Sequence, residues 1–272
     1  MNTADSDKLF AGAMPGLYEE FLVPMIFAPY AVDLARRLAS LPLKHVLEIA
    51  AGTGVVTRLL AATLPASVAI VATDLNQPML DLAASIGTTR PVEWRQADAL
   101  QLPFADGSFD AVVCQFGVMF FPDKAKAFAE ARRVLRSGGA FIFNVWDRIE
   151  NNEFADVVTQ ALATVFPADP PRFLMRTPHG YHDTATIRRD LAGGGFSAPA
   201  AIDTVAARSH AVSARIPAVA YCQGTPVRSE IEARDATRLA AATDAAAEAL
   251  ARRFGRATIE GNIQAHVVTV VR

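Results

Sequence analysis

Glu48 and Gly54 bracket the run Glu48-Ile-Ala-Ala-Gly52-Thr-Gly54. Glycines where a strand turns into a helix permit unusual φ values and let a ligand approach the backbone closely. Asp74 lies 20 residues after Gly54, and Asp98 follows at the end of the next apolar run. An acid at the first position can accept hydrogen bonds from ribose hydroxyls. One at the second can accept from an exocyclic adenine amine. Three carboxylates around one turn repel a pyrophosphate and suit a positively charged ligand, such as a sulfonium or an ammonium. Each acid alone also reads as a solvated strand end or a helix cap. Their recurrence at three successive strand ends points to a single site.

A second set of residues could move protons. His179, Tyr181, His182 and Tyr221 fall in two variable segments that could cover such a site, although each also reads as a packed or surface residue. His179 and His182, three apart with Asp183 adjacent, have the makings of a metal cluster but lack further ligands, so no metal is expected. His266 lies in the last strand and reads as structural. Cys114 sits inside an apolar run as a small apolar residue rather than a nucleophile. Cys222 stands beside the turn Gln223-Gly224-Thr225-Pro226, and Arg58 reads as a surface arginine of the first helix. Tyr18, in an N-terminal helical stretch, could close over the ligand.

The elements that must hold these residues follow from the apolar pattern. HVLEIA (45–50), VAIVATD (68–74), VEWRQAD (92–98), DAVVCQF (110–116) and AFIFNVW (140–146) are short strand-like runs. VVTRLLAATL, MLDLAAS and KAFAEARRVL between them place apolar side chains at helical spacing. This rhythm predicts an α/β protein with a Rossmann-like doubly wound sheet of about seven strands, an antiparallel last strand and helical cover insertions. Ser137-Gly138-Gly139 reads as the turn into the fifth strand. The expected organisation is a helical cover over 1–40, a ligand-binding core over 41–146 and a variable substrate-side segment over 147–199. Final strands over 200–272 enclose a helical insertion at 213–262, all in one domain. Pro167, Pro170 and Pro171 argue against a long helix in 147–190.

Composition narrows the function classes. The chain has 272 residues, 51% of them hydrophobic, which excludes global disorder. With 26 Lys and Arg against 28 Asp and Glu, it lacks the clustered positive charge of a nucleic-acid binder. Two cysteines cannot staple a fold of this size and suit a reducing cytoplasm. MNTADSDKLF lacks a signal-peptide pattern, and no apolar run is long enough for a transmembrane helix.

VLEIAAGTG, VATDLN, QADALQLPFADGSFDAVVC and RRVLRSGGAFIFNVW resemble the successive motifs of class I S-adenosylmethionine-dependent methyltransferases. The likeness is greatest to the ubiquinone/menaquinone C-methyltransferase-like group and covers roughly residues 40–146. It implies S-adenosylmethionine as methyl donor, S-adenosylhomocysteine as product and a small-molecule acceptor. By that resemblance Glu48 contacts the methionine end, and backbone at Ala50 and Gly52 lines the methionine and ribose portion. Asp74 binds the ribose, Leu75 and Met79 flank the adenine, Asp98 meets its amine and Ala99 adds backbone. Carbonyls at Gln115 and Phe116 approach the sulfonium side.

Ala50 departs from the family's usual glycine, and a negative φ is expected there. A sulfonium donor is already activated, so alignment and water exclusion carry the catalysis, an effect worth up to ~7–11 kcal/mol. A general base enters only where the acceptor must lose a proton. The acceptor segments carry Phe154, Phe166, Phe173, Met175, Tyr181 and Tyr221, which favours an apolar or aromatic molecule. Two other readings compete: a non-catalytic S-adenosylmethionine-binding protein, and an NAD-dependent dehydrogenase. GTGVVT lacks the third Gly or Ala of a dinucleotide fingerprint, and CQFG lacks the Asn-Pro-Pro-aromatic pattern of base-methylating enzymes.

Overall fold

The computed structural model describes residues 12–272. Residues 1–11, with MNTADSDKLF and the start of the expected N-terminal cover, lie outside the described residues. Seven strands form one sheet: β1 (His45–Ile49), β2 (Ala69–Asp74), β3 (Glu93–Gln96), β4 (Phe109–Gln115), β5 (Leu135–Trp146), β6 (Ala201–Ala211) and β7 (Ile259–Val271). Their order is β3-β2-β1-β4-β5-β7-β6. The first five pair in parallel. β7 runs antiparallel to β5, since Gly138 and Gly139 bond to Arg272 while Asp147 bonds to Gln264. The strand order reverses between β1 and β4, the place where open α/β sheets hold their ligands.

The chain divides into two compact units. One comprises Pro29–Val145, Tyr181–Val205 and Ala265–Arg272. Here β1 and β4 are buried along nearly their whole length, as parallel strands covered on both faces must be. Helices α1 (Ala28–Ala39), α2 (Val55–Thr63), α3 (Gln77–Ile86) and α4 (Lys124–Val134) flank the sheet. Leu34, Leu38, Val46, Leu60, Val113 and Val267 share one core cluster. Each such aliphatic side chain contributes about 1.5–3 kcal/mol by leaving water.

β5 begins earlier than the apolar run suggests. Ser137-Gly138-Gly139 lies within the strand as a bulge, where the register slips between Phe109↔Leu135 and Ala111↔Ala140. It is not a preceding turn, because its backbone is paired by Arg272, the residue after β7.

The other unit comprises residues up to Ala28, with Trp146–Gly180 and Ala206–Gln264. It is mostly helical, with helices over Glu153–Val165, Arg215–Gln223, Val227–Asp235 and Leu239–Phe254. Phe154 meets Phe254 edge-on at 5.1 Å. The 13-residue helix Glu153–Val165 contradicts the expectation of no long helix in 147–190. It ends before Pro167, so the prolines terminate it instead of preventing it. Phe154, Val157, Val158, Ala161 and Leu162 supply its buried face at helical spacing.

Candidate functional site

β1 delivers Glu48 to the carboxyl edge of the sheet, where it is buried. Its Oε2 accepts a 2.5 Å hydrogen bond from Thr57 Oγ1 in the first turns of α2. Burial pushes the Glu48 carboxyl up to about 8, against the Thr57 hydrogen bond, and the neighbouring Asp74 adds to the rise. Asp74 ends β2, also buried, and accepts from the Gly52 N–H through Oδ2 and the Asn76 N–H through Oδ1, both at 2.8 Å. Burial raises its pKa too, while these backbone donors oppose the rise. The Gly turn is therefore clamped by the acid of the neighbouring strand.

Gly54 needs its freedom: it sits at φ +84, and a Cβ there would lie 2.8 Å from the Trp94 ring. Ala50 has no such excuse, yet it stands at φ +55. The expected negative φ is wrong. The turn keeps the left-handed conformation that glycine would adopt, at a cost of roughly 1–2 kcal/mol for an L-residue. Ala50→Gly is accordingly expected to stabilise the protein by about 0.5–1 kcal/mol, after the extra entropy of a free glycine is subtracted. Thermal melting checks this; a lower Tm would mean the Ala50 methyl contributes packing that outweighs the strain.

The other residues expected on the nucleotide side lie in the same unit. Leu75 is about half exposed (47%), as a residue awaiting a planar ligand can be, and Met79 is buried in α3. Asp98 does not end β3, which stops at Gln96. It is exposed two residues further on, where its Oδ1 accepts from the Leu100 N–H at 2.9 Å and fixes a tight turn beside buried Ala99. Gln115 is the last residue of β4, and Phe116 follows at φ +48. Arg58 Nη1 donates to the Thr53 carbonyl at 2.6 Å, so it braces the turn and is more than a surface arginine. Thr57, Asn76 and Asn144 were not singled out from sequence. A threonine in the first helical turn after a Gly motif was the one available signal, for Thr57.

The proton-transfer candidates separate. Tyr18, His179 and Tyr221 belong to the mostly helical unit, Tyr181 and His182 to the sheet unit. Tyr18 stacks on Phe27 with centroids 4.9 Å apart. His179 is buried, with Nδ1 2.8 Å from the Asp147 carbonyl oxygen and its ring beside Trp146. Tyr181 donates its hydroxyl to Asp190 at 2.9 Å, and burial with that carboxylate pushes its phenol well up. Burial alone does the same to Tyr221. His182 is half-buried, and its neighbour Asp183 caps the helix Thr184–Gly193. Cys114 and Cys222 are buried, and burial raises both thiols. His266 Nδ1 lies 3.0 Å from Thr204 Oγ1. No group of three His, Cys, Asp or Glu gathers as a metal site among the described residues. Nor is any described helix long and apolar enough to cross a membrane.

Two buried acidic side chains and an ordered Gly turn stand together at the strand-order reversal, and Arg58 acts on Glu48 from the adjoining helix. They fit a ribonucleoside bearing positive charge. Comparison with known proteins agrees. A family described as a methyltransferase domain matches residues 47–143. The demethylmenaquinone methyltransferase of Thermus thermophilus is 42% identical over 114 residues, 41% of this chain and 50% of that protein. The chain thus spans about half the length of that relative. The ubiquinone/menaquinone biosynthesis C-methyltransferase UbiE of Teredinibacter turnerae is 30% identical over 169 residues, 57% of this chain and 68% of that one. A solved structure of Haemonchus contortus phosphoethanolamine N-methyltransferase 2 shares the fold. Its TM-score is 0.58 at 17% identity, over 95% of this chain and 56% of that chain. With the motifs, the sheet order and these relatives in agreement, the chain belongs to the class I S-adenosylmethionine-dependent methyltransferases, in the UbiE-like group.

Proposed function

We propose that this protein transfers the methyl group of S-adenosylmethionine, in line, to a small apolar or aromatic molecule. The observation that carries the reading is the pair Glu48 and Asp74, buried at adjacent strand ends around the Gly52 N–H. Bound there, the cofactor supplies a methyl group on an already activated sulfonium. Glu48 would take the methionine end, Asp74 the ribose, Leu75 and Met79 the adenine faces, and Asp98 with Ala99 its polar edge.

The quinone-type acceptors in the relatives' names support an apolar substrate. So do Phe154, Phe166, Phe173 and Tyr221, all buried in the segments outside the matched domain. Where the acceptor must shed a proton, His179 and His182 are the candidate bases. A carbonyl oxygen can only accept, so Nδ1 of His179 donates toward Asp147. Tyr181 and Tyr221 stay protonated at neutral pH. Two buried free cysteines and the absence of a spanning helix among the described residues suit a cytoplasmic location.

Calorimetry with S-adenosylmethionine, S-adenosylhomocysteine and NAD tests the assignment. Binding of both methyl-cycle ligands is expected. NAD binding with no response to either would overturn it.

A further inference from the structure

The turn after β4 contains a bulky residue in a conformation it does not prefer. Phe116 sits at φ +48. Such strain persists only where the surroundings over-determine it. Two contacts do so: the Phe116 N–H donates to Asn144 Oδ1 at 2.8 Å, and the ring stands edge-on to Tyr30 with centroids 5.3 Å apart. A backbone N–H can only donate, so the amide oxygen of Asn144 must face it. Asn144 is fully buried on β5, level with Gln115 in the sheet register, and its Nδ2 meets no hydrogen-bond partner among the described residues. A buried amide with half its capacity unmet is costly and calls for a reason.

The reason lies in where the turn goes. Sheet pairing between β4 and β5 stops at Gln115. The chain then swings at Phe116 so that Gly117 passes against the acidic turn, where an added Cβ would lie 2.5 Å from the Ala50 Cβ. The φ and ψ of Phe116 fix the peptide planes on either side of it, and hence the directions of the carbonyl dipoles at the strand end. Dipoles fixed in a dry site act strongly on a nearby cation and need no reorganisation.

We propose that Asn144 is a positioning residue for the cofactor: by holding Phe116 left-handed, it sets the carbonyls at the end of β4 so that the site prefers a cationic sulfonium to the neutral thioether. This rests on the methyl-transfer reading above. Without Asn144 the Phe116 N–H loses its acceptor, the backbone strain is less well offset, and the peptide planes at the turn rotate.

The test is the ratio of affinities for S-adenosylmethionine and S-adenosylhomocysteine, measured by calorimetry on the whole protein. Asn144→Ala should lower that ratio roughly tenfold, with the affinity for S-adenosylhomocysteine little changed. Asn144→Asp keeps an acceptor for the Phe116 N–H and adds a carboxyl, so it should not lower the ratio. Adding Phe116→Gly to Asn144→Ala should restore it in part, because glycine enters the left-handed turn without strain. An unchanged ratio in folded Asn144→Ala, or an equal loss for both ligands, overturns the proposal. Wild-type protein that binds neither ligand overturns the methyl-transfer reading instead, so the two failures are distinct.

Discussion

Glu48→Gln is expected to make the ligand-free protein more stable at alkaline pH while weakening its hold on S-adenosylmethionine tenfold or more. The carboxyl titrates near 8 in the folded chain, against 4.5 ordinarily, because burial penalises the anion. Between those values the folded state holds a proton that the unfolded chain has released. Stability is therefore full below about pH 4.5 and declines as pH rises through about 8. Glutamine does not titrate and can still accept from Thr57 Oγ1. The variant should thus gain on the wild type across that window and level off above it, by an amount of order 3 kcal/mol. Its cofactor affinity should fall by roughly 1.5–3 kcal/mol, the worth of a charged hydrogen bond. Denaturant melts at about pH 5 and about pH 9, with calorimetry alongside, check both halves. Equal stability differences at the two pH values would show that Glu48 does not titrate in this window.

Asp74→Ala should damage both the empty protein and the complex. The carboxylate serves the turn before any ligand arrives, since it accepts from the Gly52 and Asn76 N–H groups. Each buried donor left unmet costs about 1–3 kcal/mol, partly offset by relief of a buried charge. A net loss of roughly 2–3 kcal/mol should lower Tm by about 5–10 °C for a protein of this size. Cofactor binding should weaken by a further 1–3 kcal/mol, roughly ten- to a hundredfold. Asp74→Asn keeps one acceptor for Gly52 and should fall between. Unchanged melting and unchanged affinity in Asp74→Ala would remove Asp74 from the site.

The parts of this arrangement that were legible in the sequence share a physical signature. Strands β1 and β4 announce themselves as unbroken apolar runs because they are buried on both faces, and Glu48 and Asp74 stand out as acids where apolar runs end. The helix Glu153–Val165 had its apolar spacing in plain view, but three prolines beyond its end drew the opposite conclusion. Other features had no local signal at all. Ala50 and Phe116 are left-handed because of neighbours distant in sequence: Asn144, which holds Phe116, is 28 residues away. The Gly138 bulge depends on Arg272. Asp98 was placed at the end of β3, two residues too near, because its run, VEWRQAD, continues in composition past the point where pairing stops.

Strand β7 has a consequence for how the protein is made. It gives Ile259–Gln264 to one compact unit and Ala265–Val271 to the other. Each unit is assembled from three stretches of chain, and each needs a stretch that leaves the ribosome after residue 258. Domains ordinarily fold in turn as synthesis proceeds, the earlier one first. Here that order is closed: a nascent chain that has reached the acidic turn, the cover helices and β6 still has neither unit complete. Val267, which joins Val46 and Val113 in the core, arrives more than a hundred residues later. Neither unit can be expressed as one uninterrupted segment.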